Sequence, residues 1–153
     1  MALPSATDGT FYPSGHRNVI QSVGAARTLL QNESDSVCLF DRAAGVVYTL
    51  PPPVVGTCFD FAVTVAVTSN AYKTITNVAT VFLVGSVTSG ELAAAMDVFQ
   101  ADGTSIVSIS TNGSTTGGLV GERYKVCCIS ATQWFIEGIQ VGSGTLATPF
   151  ATS

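Results

Sequence analysis

The chain has 153 residues and a net charge of −4, with 46% of its residues apolar and only 10% charged. One core can form in a chain of about this length, which buries roughly 68–70% of its unfolded surface, and a composition so apolar excludes a disordered polypeptide. Six basic residues scattered from Arg17 to Lys125 exclude the clustered cations of a nucleic-acid or anionic-membrane binder.

Residues 1–35 read as an irregular N-terminal arm. Ser5 to Asn18 carries turn formers and two aromatics without a period, and Val19, Ile20 and Val23 fit one short strand or one helical turn equally well. Residues 36–153 read as one β-sandwich domain. Val37–Phe40 is its first apolar run and ends at Asp41-Arg-Ala-Ala-Gly45; Val46–Leu50 is the second and stops at Pro51-Pro-Pro53. Phe59 to Val67 alternates cleanly, placing Phe59, Phe61, Val63, Val65 and Val67 inside. Tyr72–Thr76, Thr80–Val87, Leu92–Gln100, Ser105–Thr111, Leu119–Ile129 and Trp134–Val141 follow, and Glu91–Asp97 reads equally as a helical turn or a strand. The separators include Asp102-Gly103 and Asn112-Gly113, whose residues tolerate positive φ. About nine short strands at this spacing predict an all-β sandwich of jelly-roll-like character. The 19 Val and 19 Thr agree with that class.

No long apolar helix and no basic, apolar leader are present, so synthesis and folding in a cytoplasm are expected. In that setting the four cysteines read as reduced, mostly buried thiols, with Cys38–Cys58 the alternative bridge; adjacent Cys127 and Cys128 point to opposite faces of a strand. His16 is the only histidine, and no metal-ligand spacing accompanies it, so no metal and no cofactor are expected. Gly142-Ser-Gly-Thr-Leu-Ala147 matches a dinucleotide-binding pattern by chance, since Pro149 follows where a helix is needed. A carboxylate pair for glycoside hydrolysis would have to come from Asp41, Asp60, Glu122 and Glu137, which read instead as solvent-face charges. Trp134 reads as a core residue; exposed, it would be a sugar-stacking platform.

Several strings carry a resemblance. Asp41-Arg-Ala-Ala-Gly45, Thr49-Leu-Pro51, Val67-Thr-Ser-Asn70 with Tyr72-Lys73, Thr115-Thr-Gly-Gly118 with Gly121, Trp134, and Gly142 to Phe150 resemble, in that order, the head decoration (cement) proteins of short-tailed bacteriophages, including cyanophages. The cysteines, Pro51-Pro-Pro53 and Glu122, where an aspartate is expected, depart from the pattern. The resemblance implies a homotrimeric β-sandwich without enzymatic activity, made in the host cytoplasm and bound to the major capsid protein on the outer face of the virion. A mean hydropathy of +0.43 fits apolar surface buried between subunits, though it does not specify three. A carbohydrate-binding knob contacting a host-surface glycan is the alternative. Phe11 and Tyr12 are the expected capsid anchors and Arg17 the expected rim charge, because the arm lacks a core of its own.

Overall fold

Val, Ile, Thr and aromatic side chains fill a pleated, half-buried surface well, and each of the nine runs becomes a strand in a computed structural model that describes residues 16–91 and 96–153. In chain order the described strands are β1 (Val19–Ile20), β2 (Ala26–Thr28), β3 (Ser36–Phe40), β4 (Val46–Thr49), β5 (Cys58–Val63) and β6 (Tyr72–Ile75). They continue with β7 (Phe82–Glu91), β8 (Met96–Asp102), β9 (Ser108–Thr111), β10 (Arg123–Ser130), β11 (Gln133–Gly142) and β12 (Phe150–Ala151). The centre of the segment read equally as helix or strand, 92–95, lies outside the described residues, and its flanks belong to β7 and β8.

Two sheets form, one in the order β1-β3-β5-β10-β11-β7-β8 and one in the order β12-β9-β6-β4-β2. From β1 to β6 the chain alternates between them, so β1, β3 and β5 lie parallel in the first sheet while β2, β4 and β6 lie parallel in the second. The pair β7–β11 is parallel as well, and the remaining five pairings are antiparallel. The sandwich is therefore a mixed one: a two-sheet coil supplies its first half and hairpins its second. From Arg17 on, the stretch read as an arm is woven into both sheets, with Ile20 and Leu29 in the core and the buried Glu33 carboxylate holding Arg27.

The core lies between the sheets. Phe40, Phe61 and Tyr124 of the seven-stranded sheet meet Tyr48 and Tyr72 of the other, with Phe40 and Tyr72 centroids 4.6 Å apart and Phe61 and Tyr124 centroids 5.1 Å apart. Tyr124 OH and Thr74 Oγ1 share a hydrogen bond of 2.8 Å across the layers. Trp134 is wholly buried beside Phe59, as expected of a core residue.

Two expectations fail. The alternation through Val67 does not survive Val63: the N–H groups of Thr64 and Val65 both donate to Phe40 O, at 3.0 and 3.3 Å, which bends the chain off the sheet. Val65 is accordingly 38% exposed, while Val67 returns to the interior. The cysteines are not all free either. Cys58 and Cys127 sit directly opposite one another on β5 and β10, Cα atoms 4.1 Å apart, and form a disulfide. The alternation that turns Cys128 into the core frees Cys127 to reach across the outer face. Cys38 points inward from β3, opposite Phe61, on the side of the sheet away from Cys58, so the alternative bridge has no path.

The strings that carry the resemblance meet in pairs. Ala43 O accepts from Thr68 N at 2.8 Å and Ala44 O from Asn70 Nδ2 at 2.9 Å, joining the 41–45 turn to the 67–70 turn. Ser114 O accepts from Ser143 N at 3.0 Å and Thr115 O from Ala147 N at 2.9 Å, joining the glycine-rich turn to the C-terminal string. Glycine is required at Gly45 (φ +86°), where a Cβ would stand 2.7 Å from Ala71 O.

Candidate binding surface

Side chains of the seven-stranded sheet that point away from the core meet no covering layer among the described residues. Register sets them in rows across the strands. One row runs Asp60, Lys125, Glu137 and Ser86, from β5 through β10 and β11 to β7; the next holds Ala62, Arg123, Ile139 and Thr88. The Cys58–Cys127 disulfide and Phe135 form the row on the other side. A shallow depression of about 460 Å³ lies over Asp60, Arg123, Lys125, Glu137 and Ile139.

Charge is concentrated here in a chain that has little of it. Asp60 is buried, contrary to its reading as a solvent-face charge, and it is held by an ion pair to Arg17 and a second to Arg123 at 3.4 Å. A carboxylate at such depth needs partners of this kind, because unpaired burial of a charge is costly. Arg17 also donates from Nε to Asp35 O at 2.7 Å and from a terminal nitrogen to Ser36 O. Its guanidinium, expected at the rim of a capsid contact, is thus engaged by this chain, where it ties the N-terminal segment to β3 and β5. Phe11 and Tyr12 lie outside the described residues.

The four carboxylates considered for hydrolysis do not converge. Asp60 and Glu137 stand two strands apart with Lys125 between them. Asp41 binds Ser22 at the end of β3. Glu122 is buried in the interior, contrary to the solvent-face reading: one oxygen accepts from Gly118 N at 2.7 Å and Val141 N at 3.4 Å, and the other has no protein partner. Burial, opposed by those bonds, pushes its carboxyl up to about 7. Beside it, Gln140 donates to Thr116 O at 3.3 Å and accepts from the Ser89 hydroxyl at 3.0 Å. A Cβ on Gly117 would strike the Glu122 carboxylate, which explains the glycine at that place in the turn.

Burial also raises the thiols of Cys38 and Cys128 above the usual range, so neither is an activated nucleophile. Sequence reasoning missed the disulfide and the Glu122 site. The parity of Cys58 and Cys127 marks both as outward-facing, yet only the β5–β10 register makes them neighbours. The surface can offer salt bridges, hydrogen bonds and apolar contact to another protein face. Compared with protein-family models, with curated proteins and with solved structures, the chain matches none of them.

Proposed function

We propose that this chain is a structural virion protein, a homotrimeric head decoration protein that binds the major capsid protein on the outer capsid surface and stabilises the shell. The resemblance of its turn strings motivates the reading. The observation that carries it is the disposition of the aromatic rings among the described residues: Trp134, Tyr48, Tyr72 and Tyr124 are all buried, and the open, apolar and charged sheet face exposes only the small ring of Phe135, at 39%. A sugar-binding knob stacks its ligand on exposed rings, whereas a clamp between protein subunits works through a broad face with a few charges.

A protein of this kind acts by mass action. It binds the assembled shell and not its dissociated parts, so it stabilises the shell by RT ln(1 + [L]/Kd). Phe11 and Tyr12 are the anchors assigned to the capsid, since aromatic side chains dominate interface energetics. The test is reconstitution: purified protein is mixed with particles that lack it, and co-sedimentation and particle melting are measured. Saturable binding with a rise in melting temperature is expected, and removal of residues 1–15 is expected to abolish binding. That truncation stops short of Arg17 and Asn18, which hold β1 to β3 and β5. Absence of binding by the full chain overturns the reading, and saturable binding to a host-surface glycan would put the knob in its place.

A further inference from the structure

We propose that Ser89 and Gln140 form an ester cross-link between β7 and β11, the Ser89 hydroxyl displacing ammonia from the Gln140 carboxamide while the Glu122 carboxyl relays the proton. Such a modification lies in the interior of the fold and is independent of the capsid role.

The three side chains share one buried row. Gln140 of β11 is the register partner of Ser89 of β7, and 51 residues separate the two along the chain. On the other flank the β10–β11 register sets Arg123 opposite Ile139, so Glu122, one step before β10, stands beside Gln140. Ser89 and Glu122 are 1% exposed and Gln140 is 0% exposed. The Ser89 hydroxyl donates to Gln140 Oε1 at 3.0 Å, the atom bonded to the carbon it would attack. On its nitrogen side the carboxamide donates to Thr116 O at 3.3 Å and bonds to the Glu122 carboxyl. Glu122 Oε1 has no partner among the described residues. Gly117 closes over the row, where a Cβ would stand 3.3 Å from Gln140 Nε2. A hydroxyl, a carbonyl carbon and a carboxyl with a free oxygen are thus held together where water is excluded.

The atoms balance without a co-reactant. Ser89 Oγ adds to Gln140 Cδ and its proton passes to Oε1, giving a neutral tetrahedral adduct. The protonated form of Glu122, which burial favours, gives its proton to the nitrogen, the C–N bond breaks and ammonia leaves. Glu122 then takes the Oε1 proton as the carbonyl re-forms, so the carboxyl ends as it began. The products are an Oγ–Cδ ester and one ammonia. Amides resist such attack by free hydroxyls in water, but fixed juxtaposition is worth effective concentrations of roughly 10⁵ M or more when well oriented. The dry interior then protects the ester from hydrolysis.

Mass spectrometry of the full chain, denatured and reduced after incubation at neutral pH, reads the step directly. The wild type is expected lighter than its sequence by one ammonia, about 17 Da, and Ser89→Ala is expected at its full sequence mass. Trypsin cuts after Lys73, Arg123 and Lys125, so fragments 74–123 and 126–153 of the wild type are expected as one joined species. Hydroxylamine, which cleaves esters, is expected to separate them. Glu122→Gln is expected to fold, to keep its ammonia and to give the two fragments apart. A wild type at full sequence mass overturns the cross-link. So does an ammonia loss that Ser89→Ala retains, as ring closure at Asn112-Gly113 would give. Joined fragments in Glu122→Gln would overturn the proton relay.

Discussion

Val63 and Val65 are chemically identical and two positions apart, yet they have different fates. Val63 ends β5 inside the core, and Val65 follows the bend at Phe40 O into partial exposure. Val63→Asp is therefore expected to prevent folding, since a buried unpaired charge costs several kcal/mol. Val65→Asp is expected to cost less than about 1 kcal/mol, as surface substitutions do. Urea denaturation of both variants checks the pair, and equal losses would place β5 wrongly. Glu122 sets a pH dependence of definite sign. Its carboxyl rises from the ordinary 4.5 to about 7 in the fold, so the folded state holds a proton that the unfolded chain releases. The stability of the protonated form is fully present below pH ~4.5, falls as pH rises toward 7 and is flat above, a loss of roughly 3 kcal/mol. Glu122→Gln is expected to remove that slope and to melt higher than the wild type at pH 8. Parallel pH profiles of melting temperature for the two proteins would refute this.

Among the elements, the β5–β10 pair bears the most. It joins the two-sheet coil of the first half to the hairpins of the second, it carries Asp60 and Lys125 outward, and its disulfide closes a separation of 69 residues. Cross-linking a loop of that length narrows the unfolded ensemble, so reduction or Cys58→Ala is expected to cost about 2–4 kcal/mol. Guanidinium titration with and without reductant measures it; coincident curves would show that the thiols are free. A second weak point is β7 against β11. Gly85 has φ +131°, and a Cβ there would strike Ile136 O, so Gly85→Ala is expected to break the parallel pair and to cost more than the helix-propensity scale of about 1 kcal/mol. A variant melting within a degree of the wild type would contradict it.

For the molecule as a whole, contacts between distant parts of the chain dominate. Strand β10 pairs with β5, its register partners lying 61 to 69 residues earlier, and β11 pairs in parallel with β7 across an intervening hairpin and a strand of the other sheet. Chains of such topology close long loops before any contact repays them, so refolding on the order of milliseconds to seconds is expected. Trp134, alone of its kind and wholly buried, is the natural probe: its emission should be blue-shifted and resistant to iodide in the native state. Recovery of that emission within microseconds of dilution from denaturant would contradict the topology.

The strand content was legible in the sequence because local rules determine it. Alternation, β-branched composition and Asp-Gly or Asn-Gly turns act within a few residues, so all nine runs and the buried Trp134 could be read without coordinates. Strand order was not legible, because nothing within β3 or β5 records that the chain visits the other sheet between them. Two features depend on that order: the Cys58–Cys127 bridge, and the burial of Glu122 against Val141 of β11. Each joins residues that lie far apart along the chain. A side chain's parity is set by its own strand, whereas its neighbours across the sheet are set by register, which only the packing of the two layers decides.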